Sequence, residues 1–157
     1  MPRSADQPVD ELFLKRWSPR AFDDQIVPKA DLETMLEAAR WAPSAYNIQP
    51  WRFLYSLRDD MHWELFLSLL DEFNQAWARS AGALLFLLSS KTTEREDGRV
   101  SPVPKHSFDT GGAWVQLALQ ATALEYQAHA MAGIHVDRVR EELKVPERFH
   151  IEAAVAI

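Results

Sequence analysis

Two short stretches carry residue types and spacings able to do chemistry. "RWSPR", residues 16–20, sets Arg16 and Arg20 four residues apart around Ser18 and Pro19. Fully extended, that spacing separates them by up to about 14 Å. A turn at Pro19 would instead bring both guanidiniums and the Ser18 hydroxyl onto one anion. A phosphate monoester, with about −1.5 to −2 charges, is the natural guest. The competing reading is two solvated arginines at a helix end, and the motif alone favours it slightly. "PSAYNIQPW", residues 43–51, holds Ser44, Asn47 and Gln49 between Pro43 and Pro50. Two prolines fix the path, so these polar groups lose little entropy on binding. Neutral donors and acceptors on such a loop suit the edge of a heteroaromatic ring or a sugar-like chain. Equally, they could serve only the loop's own backbone.

Other chemistry is missing from the letters. No G-x-G-x-x-G, G-x-x-x-x-G-K-[ST] or G-x-S-x-G occurs, and only five glycines are present, so no Rossmann site, P-loop or nucleophile elbow is expected. With no cysteines, disulfides, thiolate metal sites and cysteine nucleophiles are excluded. The histidines at 62, 106, 129, 135 and 150 lack paired ligand spacing, so no metal site is expected. The carboxylate pairs at 23–24 and 59–60 read as caps rather than as catalytic pairs. A reactive centre, if there is one, therefore comes from a cofactor.

The bulk numbers agree. A chain of 157 residues is expected to form one domain spanning 1–157, burying roughly 68–70% of its unfolded surface. A net charge of −6 argues against general nucleic-acid binding. The apolar run "AGALLFLL" (81–88) is far short of the roughly 20 residues of a membrane helix and reads as a buried strand. With no leader signal in "MPRSADQPVDELF", a cytoplasmic location and no membrane partner are expected.

The elements that must position the two stretches follow from pattern and punctuation. A first helix opens at Asp6 and Pro8 and ends at "WSPR", with Lys15 and Arg16 in its last turn. A second runs from near Pro28 to before Pro43, burying Leu32, Met35, Leu36 and Ala39. Residues 51–57 form a strand. Asp59 and Asp60 cap a third helix, "MHWELFLSLLDEF", and "NQAWARS" adds a further turn before the strand at 83–90. Residues 91–106 read as one long surface loop. A helix over 110–126 has a contact face mixing Ala and Gly with Trp114, Leu117 and Leu124. "QAHAM", "DRVREEL" and "IEAAVAI" follow as strand, helix and strand. The order implies helices packed over a central sheet.

Taken together, "R-x-S-x-R-x-F" at 16–22 and "A-P-S-x-x-N-x-Q-P-W" at 42–51 resemble the nitroreductase family of FMN-dependent oxidoreductases. The resemblance continues through 74–90, 109–124 and 131–157. It implies an α+β fold: a three-layer α/β/α sandwich with a mixed, mostly antiparallel sheet. It also implies FMN as cofactor, NAD(P)H as transient hydride donor, and a small electron acceptor such as a nitroaromatic or quinone, with no catalytic side chain. Arg16, Trp17, Ser18 and Arg20 match the segment at the FMN phosphate, ribityl chain and pyrimidine edge. Pro43, Ser44, Ala45 and Asn47 match the loop given to the partner subunit's flavin in a homodimer. Asn74 matches a further ribityl or ring contact, and Ala132 and Gly133 match the loop near flavin N5. The helix over 110–124 corresponds to the central dimer helix.

Several positions depart from the pattern. Ala45 and Tyr46 replace small hydroxyl or glycine residues, and Trp77 stands where some relatives carry a lysine. Glu125 stands where a helix-ending glycine is frequent, at a cost on the order of 1 kcal/mol if φ is positive. The chain ends at Ile157, where relatives continue with a segment that supplies another basic residue, so the strand at 151–157 is expected to have an unpaired edge. The alternatives are a flavin-binding carrier or regulatory protein without turnover, and an interaction domain without cofactor.

Overall fold

The eight residues of the most buried strand decide the architecture, because their side chains alternate between two cores. The computed structural model describes residues 3–157. Strand β2 (Ala83–Ser90) is buried along its whole length. Leu84, Phe86 and Leu88 join one core with Trp63, Phe66, Leu70, Ala78 and Val139. Ala83 and Leu85 join the other with Leu32, Met35, Ala39, Ala113, Leu117 and Ala121. A strand covered on both faces reads as a continuous apolar run, as "ALLFLL" does.

The helices supplying these cores are α2 (Lys29–Arg40) and α5 (His106–Ala123) on one face. On the other lie α3 (Trp63–Ser68), α4 (Glu72–Ala78) and α6 (Val136–Glu142). Between them the sheet runs β1-β2-β6-β5, with β1 Trp51–Leu57, β5 His129–Met131 and β6 Phe149–Ala156, and all its pairings are antiparallel. This is the three-layer sandwich that the resemblance implies.

The terminal strand corrects one expectation. Instead of presenting an open edge, β6 lies inside the sheet, paired with β2 on one side and β5 on the other. The segment 91–106 corrects a second. It contains a hairpin, β3 (Thr92–Glu94) with β4 (Val100–Pro102), turned through Gly98 at φ 78. Strands of three residues bounded by charges and prolines are too short to show alternation.

Three helix boundaries also move. Helix α1 is only Glu11–Lys15, because Asp10, rather than Asp6 or Pro8, caps it by accepting from Leu12 N at 2.8 Å. Asp60 turns back to accept from Leu57 N at 3.0 Å, so neither it nor Asp59 caps α3 through its side chain. The run from 61 to 80 is broken at Leu69–Asp71 because the backbone there bonds to residues 133–135: His135 N donates to Leu69 O and Asp71 N to Gly133 O. The helix expected over 110–126 starts four residues earlier and ends at Ala123, where Glu125 takes φ 68, the strained stop anticipated from its side chain.

Tyr126, just beyond α5, donates its hydroxyl to Asp31 Oδ2 of α2 at 2.7 Å. That bond, helped by burial and the carboxylate's charge, pushes the phenol up to about 12. A pKa raised on folding gives stability that is complete below the unfolded value of about 10 and is lost as pH rises towards 12. Spectrophotometric titration should show a late tyrosine step near pH 12 from Tyr126. Tyr126→Phe should abolish that late step and cost about 1 kcal/mol at neutral pH. A late step that survives in the Phe variant would contradict the assignment.

Candidate functional site

Residues 16–22 bend at Arg20, beside Pro19, without a hydrogen-bonded turn among them. Arg16 is extended, with ψ 125, and the segment is pinned from outside. Trp17 N donates to Gln127 Oε1 at 3.0 Å and Gln127 Nε2 to Lys15 O at 3.3 Å. His129 Nδ1 bonds Pro19 O at 2.7 Å, which assigns the proton to that nitrogen. The His129 ring stacks on Trp77 with ring centres 4.7 Å apart, and the Phe22 ring stacks on the same indole at 6.2 Å. The segment therefore seats on β5 and α4. Arg16 Nη1 donates to Ser18 Oγ at 3.4 Å, and the Arg20 guanidinium lies 5.3 Å from the centre of the Phe73 ring. Among the described residues neither arginine has a carboxylate within ion-pair range.

Phe73 adjoins Asn74, and there a second piece arrives. Asp71 caps α4 by accepting from Asn74 N at 2.8 Å. Buried Asn74, 7% exposed, donates through Nδ2 to Gly133 O at 3.0 Å. Gly133 has no room for a side chain: a Cβ would overlap Asp71 Oδ2 and stand 2.5 Å from Asn74 Nδ2. Ala132, beside it, is exposed. The structure thus brings Arg20, Asn74 and the 132–133 loop to one side of the fold. Trp77 packs, partly buried, at the edge of the core. Its Nε1 is buried without a hydrogen-bond partner.

Pro43, Ser44, Ala45 and Asn47 sit elsewhere. Pro50 O accepts from Ser90 N, and Trp51 lies opposite Ser89. His129 is in register with Ala156, Leu84 and, beyond them, Ser56. Ser56 lies five steps along the strand from Trp51, about 17 Å along the sheet. Here Tyr46, Asn47 and Gln49 have φ of 54, 55 and 53, and Tyr46 is 97% exposed. Three non-glycine residues in the left-handed region within four positions is a concentration of backbone strain typical of functional loops.

Beside that loop, the N-terminus of α5 is fastened to the sheet. A bulge between Leu87 and Leu88 leaves Glu152 of β6 without an opposite residue, re-aiming its side chain. Glu152 Oε1 accepts from Ser89 Oγ and, at 2.7 Å, from Ser107 Oγ; Ser89 Oγ also bonds His106 Nδ1 at 2.7 Å. No set of three His, Asp or Glu residues able to hold a metal occurs among the described residues.

Sequence reasoning missed Asp71, Gln127 and Asp109 as supports. Asp71 was legible, since an aspartate before "EFNQAWA" is a cap signature. Gln127 and Asp109 act over 110 and 64 residues and leave no local signal.

The nitroreductase family model matches residues 14–62. A crystal structure described as the oxidoreductase containing FMN is 52% identical, with a TM-score of 0.95, covering 98% of this chain and 78% of that one. A nitroreductase family protein from Clostridium difficile 630 is 27% identical with a TM-score of 0.75, covering 93% of this chain and 80% of the other. The oxygen-insensitive NADPH nitroreductase of Helicobacter pylori strain J99 is 33% identical over 85 residues, 54% of this chain and 40% of that protein. The chain spans well under half the length of such curated relatives, 22% and 40% for two of them. The chain belongs to the nitroreductase family.

Proposed function

We propose that this protein is an FMN-dependent oxidoreductase that moves hydride from NAD(P)H to a small electron acceptor such as a nitroaromatic or quinone. The observation that carries the reading is the convergence of 16–22, 71–77 and 129–133: Arg20 over Phe73, next to a buried amide fixed to Gly133, on a segment that also carries Arg16, neither arginine having a carboxylate partner among the described residues. The residues fit the cofactor's chemistry. Arg16 and Arg20 offer charge-assisted donors suited to a phosphate, and Ser18 and Asn74 offer neutral groups suited to a ribityl chain or ring edge. Trp17, Ala132 and Gly133 complete this half.

FMN, when bound, supplies the redox chemistry; the protein's share is placement and hydrogen bonding. No side chain is assigned as nucleophile or obligatory base. Pro43, Ser44, Ala45 and Asn47 enter the sheet at Trp51, about 17 Å along the strands from the row that holds His129, so we assign them to the flavin of a partner subunit, with one flavin at each site of a homodimer. Gly111 and Gly112 of α5 face open space, where an added Cβ would meet nothing, which suits a second chain packed there. Among the described residues no helix is long and apolar enough to cross a membrane. Relatives named as NAD(P)H nitroreductases and an FMN-containing structure support the reading.

The test is reconstitution. Protein mixed with FMN and desalted should keep flavin absorbance, elute as a dimer, and oxidise NADH or NADPH when an acceptor is added. A colourless monomer would sink the proposal, whereas a yellow dimer without turnover would favour the carrier alternative.

A further inference from the structure

We propose that Asp109 is a positioning residue whose buried carboxylate latches the 43–49 loop in its left-handed geometry, the form in which that loop would meet the flavin. The inference rests on the FMN reading above. Tyr46, Asn47 and Gln49 all hold positive φ without glycine, and such strain persists only where the surroundings over-determine it.

Most of the loop's own bonds are local. Asn47 N donates to Ser44 O, Ile48 N to Ala45 O, and Gln49 N to Ser44 Oγ. Gln49 Nε2 donates to Asn47 Oδ1, and Arg52 of the adjoining strand reaches back to Gln49 O. These bonds define the loop's shape but do not fix it to the body of the fold. From a sequence-distant element the side-chain bond is Ala45 N to Asp109 Oδ2, at 3.0 Å across 64 residues.

Asp109 is suited to the task. It is 5% exposed and lies in the first turn of the 18-residue α5, where the helix dipole favours an anion. It also lines, with Pro43, Ser44, Ala45, Lys105 and Phe108, a cavity that opens beside the loop. The turn that carries it cannot drift, because His106 and Ser107 are bonded to Ser89 and Glu152 of the sheet. A charge-assisted bond from a fixed carboxylate is stronger than a neutral one. Its loss would leave Ala45 free to take conformations from which the strained residues relax.

Two variants separate the acceptor from the fold. In flavin-free protein, Asp109→Ala should speed hydrogen exchange at the Ala45 amide by about tenfold or more, leaving amides of α2 and β2 unchanged. It should also raise the Kd for FMN about tenfold. Asp109→Asn keeps an oxygen acceptor without the charge and should fall between the wild type and Asp109→Ala in both readouts. If Asp109→Ala does not fold, Asp109→Ser takes its place, because its hydroxyl is polar but too short to reach Ala45. An Ala45 amide and FMN affinity indifferent to these changes would overturn the latch, as would an Asn variant as damaged as Ala. Wild-type protein with no FMN affinity would instead overturn the functional reading, with the exchange result still deciding whether the latch exists.

Discussion

Changing Arg16 and Arg20 together to alanine is expected to raise the Kd for FMN by at least a hundredfold, with little change in stability. A hydrogen bond to a charged group contributes about 1.5–3 kcal/mol, so losing two costs at least about 3 kcal/mol, and each 1.4 kcal/mol is tenfold. Stability should hold because neither guanidinium has a carboxylate partner within ion-pair range among the described residues. Among the described residues Arg20 meets the Phe73 ring, a contact worth about 0.5–1 kcal/mol at an exposed site. Equilibrium dialysis or flavin fluorescence quenching, beside a urea melt, separates the two quantities. Salt adds a check, since affinity through two cations should fall with ionic strength in the wild type and much less in the double variant. Unchanged affinity in the double variant would remove the phosphate from this end of the site.

The reach of the sequence follows the range of the interactions. Strands β1 and β2 were legible because their patterning lies within a few residues, and α2 because prolines and charges bracket it. The arginines and the stiff loop were legible for the same reason: each motif is contiguous. What could not be read were agreements between distant segments. The break between α3 and α4 exists because backbone at 69–71 bonds to 133–135, and nothing in "SLLDEF" announces that partner. The interior place of β6 depends on the three-residue β5, too short to show a period.

At the site the same rule separates identity from placement. Ser44 and Asn47 could be nominated from their types and Asn74 from the family resemblance, but which of them meet could not. Asn74 finds Gly133 across 59 residues, whereas the proline loop lies at the other end of the strands. The bend beside Pro19 is held not by a local turn bond but by Gln127 and His129, which take the Trp17 N–H and Pro19 carbonyl.

Gly133→Ala is expected to destabilise the fold by about 3 kcal/mol and to weaken FMN with it. The added Cβ overlaps Asp71 Oδ2 and stands 2.7 Å from Asp71 Cγ and 2.5 Å from Asn74 Nδ2, distances at which something must move. If Asp71 moves, α4 loses its cap, worth about 1 kcal/mol. If Asn74 moves, the buried bond to Gly133 O goes, about 1 kcal/mol more. Residual crowding adds about 1–3 kcal/mol. In urea the midpoint should shift with little change in m, and the melting temperature should fall by about 6–12 °C. A double-mutant cycle identifies the culprit. Asp71→Gly removes the carboxylate that the methyl would strike, so Asp71→Gly with Gly133→Ala should cost less than the sum of the single changes by at least about 0.5 kcal/mol. Strict additivity would mean that the methyl is accommodated by backbone movement at 132–134 and that Asp71 does not set the shape of this corner.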